Sequence, residues 1–221
     1  MASRPTLDQS DLFGALPSDI LEELRGRTEL HKFRRGEVVC SRGEIATELY
    51  IVFSGRVAIA ARATDGRESV VAVLGPGALF GELPLFDDGM RSADVRAVTT
   101  VHLISIPFDD VRAVLREHPE TLWAVVRILT RRLRATDDAL ADAMFLDVTG
   151  RTAKRMLELA GGQDEFRMPL TQEELAGMVG ASRERVNKAI ATFVKLGWLE
   201  VSGRTRYKIL DREELSGRAS F

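Results

Sequence analysis

Apolar positions change their spacing twice along the chain. Through residues 7–29, Leu12, Phe13, Leu16, Ile20, Leu21 and Leu24 recur at helical steps, predicting one or two short helices. From about Phe33 to Ile106 short runs rich in Val, Ile and Leu take over: Val38-Val39, Leu49–Phe53, Val57–Ile59, Val70–Leu74 and Val101–Ile104. Glycines at 36, 43, 55, 66, 75 and 77 cut these runs, and Asp65-Gly66 has the composition of a hairpin turn. Strand-length runs at such spacing predict an antiparallel sandwich or barrel.

Helical spacing returns at Pro107–Glu117. Pro119 suits the first turn of a longer helix, where its missing N–H has no partner to lose. Leu122, Val126, Leu129, Leu133, Thr136, Leu140 and Ala143 then alternate in steps of four and three, a coiled-coil seam with charged side chains such as Arg131, Arg132 and Asp138 outside it. Such a seam predicts pairing with a second copy of the chain; the alternative is packing on the chain's own barrel. Thr136 is its polar interruption, setting register or offering a hydroxyl to something bound beside the helix. Phe145–Gly150 ends the helix, and Asp147 or Thr149 can cap the next, which carries Ala153, Met156, Leu157, Leu159 and Ala160 on one face and stops at Gly161-Gly162.

Residues 170–199 hold a second organised pattern. Thr171 with Glu174 forms a capping box, Gly180 allows a turn, and Ser182 caps a second helix. On that helix Arg183, Glu184, Arg185, Asn187 and Lys188 are predicted outward, and Val186, Ile190, Phe193 and Val194 inward. Polar groups at the start of the second helix of such a pair suit major-groove readout. A plain helical hairpin with a solvated face is the bland alternative. Residues 198–209 then make a hairpin wing, with Arg204, Arg206 or Lys208 placed to touch phosphates.

Charge sharpens this division. The net charge is −2, but residues 148–221 hold 13 Lys and Arg against 10 Asp and Glu, while residues 1–147 hold 18 against 23. The basic C-terminal part hints at a polyanion partner. A single cysteine, Cys40, excludes an internal disulfide, and with three scattered histidines it leaves no metal set to expect. Without a membrane-length apolar run or a basic-then-apolar leader, a cytoplasmic protein is expected.

The candidate chemistry concentrates in residues 79–93. Glu82 is an acceptor for a sugar hydroxyl. Arg91 offers a planar cation and Ser92 a hydroxyl to a phosphate, with backbone N–H groups freed by the Gly81 turn. Together they predict a pocket for a cyclic nucleotide. A structural ion pair of Glu82 with Arg91 is the alternative.

Three motifs in order, Phe80-Gly81-Glu82-Leu83 with Arg91-Ser92-Ala93, Phe145–Arg151, and Val179–Glu184 with Val186-Asn187-Lys188, resemble the CRP/FNR family of bacterial transcription regulators across roughly residues 10–210. The resemblance implies an α+β chain: a cyclic-nucleotide-binding β-roll of jelly-roll type over residues 1–118, a dimerisation helix and hinge over 119–147, and a winged helix-turn-helix over 148–221. It places Gly81, Glu82 and Leu83 at the ribose and Arg91 and Ser92 at the cyclic phosphate. Thr136 would meet the base, and Asp137 the base held by the other subunit. Thr171, Gln172, Ser182, Arg183, Glu184, Asn187, Lys188 and Arg204 are the implied DNA contacts, with Arg183, Glu184 and Lys188 at base-reading positions.

The implied function is a homodimeric regulator, activated by cAMP, that binds a palindromic TGTGA-type site and works with RNA polymerase. An enzyme is not expected: no nucleophile–base pair is left over, and the DNA-reading half argues against a kinase regulator. Two departures stand out. Asp137 replaces the usual Ser or Asn, and can also accept from guanine, keeping cGMP or a cyclic dinucleotide as alternatives. Pro84 replaces a small residue and removes one backbone N–H. A member that binds DNA without ligand is the remaining alternative.

Overall fold

The computed structural model describes residues 7–14, 16–62, 68–203 and 205–220. The Asp65-Gly66 turn and Arg204 therefore lie outside the described residues. The chain divides into two compact units, Met1–Ala61 with Ala72–Leu133, and Arg62–Val71 with Arg134–Phe221.

Along the chain a 3-10 turn, Leu7–Gln9, and α1 (Ser18–Arg25) precede the strands β1 (Glu29–Phe33), β2 (Val38–Cys40), β3 (Glu48–Ser54), β4 (Val57–Arg62), β5 (Glu68–Leu74), β6 (Leu79–Phe80), β7 (Asp94–Ala97) and β8 (Val101–Pro107). They form two four-stranded sheets, ordered β1-β8-β3-β6 and β2-β7-β4-β5. The pairings of β1 and β3 with β8, and of β4 with β7, are antiparallel, as the spacing of the apolar runs predicts. The strand region starts earlier than expected. Residues 29–33 pair with Val101–Ser105, because strand pairing across long sequence separation overrides a short local pattern.

Strand β3 shows how the core is built. Its run Leu49-Tyr50-Ile51-Val52 is buried on both faces. Tyr50 and Val52 pack between the sheets with Val57, Phe80, Val95 and Leu103. Leu49 and Ile51 point the other way, onto α1, α3 (Phe108–Glu117) and the start of α4 (Leu122–Phe145). A period of two, buried twice over, reads as an unbroken apolar run. Between β6 and β7 lies α2 (Leu83–Asp87), with Pro84 in its first turn, where a missing N–H costs nothing.

Pro119 heads a 3-10 turn, Pro119–Thr121, rather than the long helix itself. On α4 the packing on the chain's own barrel is made mainly by residues beside the seam, with Leu129 of the seam half-buried against them. Ala124, Val125 and Ile128 are buried in the core of the first unit. Leu122, Val126, Leu133 and Leu140 of the seam are exposed, as are Trp123, Met144 and Phe145.

The second unit contains α5 (Val148–Ala160), β9 (Glu165–Arg167), α6 (Gln172–Val179), α7 (Arg183–Lys195), β10 (Leu199–Ser202), β11 (Arg206–Ile209) and α8 (Arg212–Arg218). The sheet order is β10-β11-β9, all antiparallel. Asp147 caps α5 by accepting from Gly150 N at 2.8 Å. Its pKa is lowered, first by that backbone hydrogen bond and then by Arg218. Asp142, at 1% exposure, pairs with Lys154 Nζ at 2.6 Å, and Arg151 donates to the carbonyls of Leu146 and Val179. These contacts bind the end of α4, α5 and α6 together.

Candidate ligand pocket and nucleic-acid interface

The turn after β6 has one steric requirement. Gly81 has φ +78°, and a Cβ there would stand 2.3 Å from Arg91 Nη1. Only glycine combines that backbone with a guanidinium packed against it. Arg91, buried at 6% exposure, donates from Nη1 to the Gly81 carbonyl at 2.9 Å and from Nη2 to the Glu48 carbonyl at 2.8 Å. Its Cζ lies 5.4 Å from the centroid of the Tyr50 ring, which stacks in turn on Phe80 at 5.2 Å. No ion pair joins Arg91 to a carboxylate among the described residues. A buried cation matched only by carbonyls and a ring face retains unspent attraction for an anion. Ser92 lies exposed beside it, and Leu83 is exposed on α2. The Tyr50 hydroxyl donates to Glu48 Oε1 at 2.5 Å, and its pKa is pushed up, by burial first and by that carboxylate second. Burial likewise raises the Cys40 thiol to about 11, against the opposing pull of Arg91.

The ion pair weighed for Glu82 exists, but with a different arginine. Glu82, at 2% exposure, takes Arg132 Nη1 on Oε1, and Arg132 Nη2 donates to the Leu79 carbonyl. Oε2 of Glu82 is buried with no hydrogen-bond partner among the described residues. That oxygen is an unmet acceptor, suited to a hydroxyl donor. Arg132 escaped the sequence reading because its position marks it only as an outward charge on α4. Its spacing held a signal: it stands four residues after Ile128, on the same helix face. Thr136 and Asp137 are exposed positions on α4.

The helix pair of the second unit forms as its sequence specifies. Thr171 and Glu174 make both bonds of the capping box, Gly180 is left-handed, and Ser182 accepts from Arg185 N. Val186, Ile190 and Phe193 are buried, while Arg183, Glu184, Arg185, Asn187 and Lys188 are exposed. Val194 departs from expectation: at 43% exposure it lies outside the core, since Phe193 stacking on Trp198 at 5.9 Å already fills the inward position. Gln172 is half-buried and its amide donates to the Tyr207 hydroxyl at 3.0 Å. Lys208, one of the wing cations, is paired with Glu165 at 2.7 Å.

Residues 30–118 match the cyclic nucleotide-binding domain family, and residues 150–218 the Crp-like helix-turn-helix domain family. A CRP-like cAMP-activated global transcriptional regulator of Mycobacterium tuberculosis H37Rv is 40% identical over 220 residues, covering 96% of this chain and 98% of the relative. The cAMP-activated global transcriptional regulator CRP of Salmonella typhimurium LT2 is 31% identical over 84% of this chain and 91% of its own. Among solved structures, the c-di-GMP responsive global regulator CLP of Xanthomonas campestris superposes with a TM-score of 0.76 at 26% identity, over 87% of this chain and 99% of that one. Among the described residues no cluster of side chains fit for a metal ion occurs, and no helix is long and apolar enough to cross a membrane. With a cyclic-nucleotide-binding domain, a Crp-like helix-turn-helix and near full-length relatives that regulate transcription, this chain belongs to the CRP/FNR family of transcription regulators.

Proposed function

We propose that the chain is a cAMP-responsive, homodimeric transcription regulator that acts in the cytoplasm without enzymatic activity, binds a palindromic TGTGA-type site and works with RNA polymerase. One observation carries the ligand reading: the buried Arg91 guanidinium is held by two backbone carbonyls and the Tyr50 ring, with no carboxylate on it among the described residues. The cyclic phosphate supplies the missing anion, with Ser92 beside it, and the ribose 2′-hydroxyl donates to Glu82, whose Oε2 has no hydrogen-bond partner among the described residues. Thr136 and Asp137 read the base, Asp137 from the second subunit. The exposed seam of Leu122, Val126, Leu133 and Leu140 is the surface for that second copy, since a stripe of this kind is seldom left in water. Arg183, Glu184 and Lys188 read base edges, while Thr171, Gln172, Ser182, Asn187 and Arg204 contact the DNA around them. Domain bounds of 1–118, 119–147 and 148–221 follow from this assignment.

Ligand acts by population shift: it favours the dimer arrangement that satisfies phosphate, ribose and base together, and that arrangement places the recognition helices at DNA spacing. A second reading, with cGMP or a cyclic dinucleotide as the ligand, is favoured by Asp137 and by similarity to the c-di-GMP responsive regulator. Calorimetric titration with cAMP, cGMP and c-di-GMP, paired with DNA-binding anisotropy in the presence and absence of each, separates the readings. The proposal expects cAMP to bind, to tighten specific DNA binding at least tenfold, and to lose its effect in Arg91→Ala. Specific DNA binding indifferent to every nucleotide overturns it.

A further inference from the structure

The exposed face of the β9–β11 sheet carries two neighbouring rungs of opposite character. Bonds from Met168 N to Thr205 O and from Ile209 N to Asp164 O, each 2.8 Å, mark the hydrogen-bonded rungs of the β9–β11 pair. The alternate rungs, Glu165 with Lys208 and Arg167 with Arg206, are non-hydrogen-bonded, the kind that brings facing side chains closest. In the first, Lys208 meets Glu165 at 2.7 Å, and Glu200 faces Lys208 from β10. In the second, arginine faces arginine, with Ser202 opposite Arg206 on the third strand. Neither arginine has an ion pair with a carboxylate among the described residues.

Like charges directly opposite on a sheet are destabilising, and this pair cannot slip away. Tyr207 and Ile209 are buried on the other face, so a one-residue shift of β11 would expose them and bury Arg206. The core therefore holds two cations together at a cost. Both line an open cleft of about 530 Å³ with Ser202, and the same cleft takes in Glu165, Lys208 and Glu200 of the neighbouring rung. The rung also has a definite place in the second unit. Arg206 and Ser202 flank the turn at Gly203, Arg167 lies four residues before the Thr171 cap of α6, and Gln172 on α6 donates to Tyr207. The arginines thus sit between the wing turn and the start of the helix pair.

We infer that Arg167 and Arg206, with Ser202, form a clamp for one phosphodiester of the DNA backbone beside the bases read by α7. Two guanidiniums converging on one phosphate, with a hydroxyl as a third donor, match the acceptor pattern of that group. Bound phosphate converts the repulsive rung into an attractive one. The clamp rests on the DNA-binding reading and extends it to β9, a strand outside the helix pair and the wing hairpin.

The test uses full-length protein, a duplex with two TGTGA half-sites and a scrambled duplex, in anisotropy titrations across a salt series. Arg167→Ala and Arg206→Ala should each weaken both duplexes about equally, by roughly tenfold, and reduce the salt slope by about one. Arg167→Glu builds a second rung like that of Glu165 and Lys208. It should raise the thermal midpoint of the DNA-free protein while weakening DNA more than either alanine. A lowered midpoint in Arg167→Glu, or unchanged affinity and salt slope in both alanine variants, overturns the clamp. In the latter case wild-type binding with Lys188→Ala defective leaves the DNA reading standing, whereas no binding by wild-type protein removes both.

Discussion

Glu82 and Arg132 join the turn after β6 to the long helix α4 through a carboxylate whose side chain is 3% exposed and a guanidinium that is 38% exposed. Arg132→Ala strands that carboxylate. Because the arginine is partly in water, the loss should fall below that of a fully buried pair, at about 1–3 kcal/mol by urea denaturation. Glu82→Gln in the same background should recover part of it, since no charge is then left buried. An unchanged midpoint in Arg132→Ala would show that the pair carries no net stability.

Gly81→Ala should act on the ligand rather than on the fold as a whole. Its methyl group would meet Arg91 Nη1 at 2.3 Å, from a backbone conformation that costs a non-glycine residue about 1–2 kcal/mol. Arg91 must then leave the Gly81 carbonyl. We expect cyclic-nucleotide affinity by calorimetry to fall at least tenfold, with circular dichroism unchanged.

Asp142 and Lys154 offer a cleaner measure of the contacts at the α4–α5 junction. Asp142 Oδ2 is buried without a hydrogen bond among the described residues, although Arg155 stands 3.9 Å away. Lys154→Met should cost about 2–4 kcal/mol, somewhat under the figure for a fully buried pair because Lys154 is 28% exposed. Combining it with Asp142→Leu should restore most of that stability. A double change as damaging as the sum of the two single ones would mean the pair is not coupled.

Asp147 predicts a pH dependence. Its pKa in the folded protein is lowered, so the stability it contributes is present above the ordinary carboxylate range and is lost as pH falls through the lowered value. Asp147→Asn keeps a capping oxygen and should flatten that acid limb. Asp147→Ala also removes the cap, costing about 1 kcal/mol at neutral pH. Thermal midpoints from neutral to acid pH for the three proteins decide this.

Lys188, exposed near the start of α7, is expected to read a base. Lys188→Ala should cost about 1–3 kcal/mol on the TGTGA-type duplex and little on scrambled DNA. Equal losses on both would make it a phosphate contact.

The contrast between Thr171 and Arg132 explains which features were legible in the sequence. The capping box, the Gly180 turn and the Ser182 cap depend on residues two to four positions apart, and each forms as read. The seam on α4 was visible for the same reason. Strands β1, β6 and β7 were missed because two to five residues carry too little periodicity to announce a strand, and their pairing partners lie far along the chain.

At the proposed pocket, residue type and order along 79–93 single out an acid, a base and a hydroxyl. Residue type could not assign their partners. Arg91 rests on the carbonyls of residues 10 and 43 positions away, and Glu82 on an arginine 50 positions away. Helix caps and heptads are local chemistry, carried by backbone geometry that any short segment reproduces. Which arginine neutralises Glu82, and which rests on backbone carbonyls, is settled by packing between elements distant in sequence, and that exists only once the roll has closed.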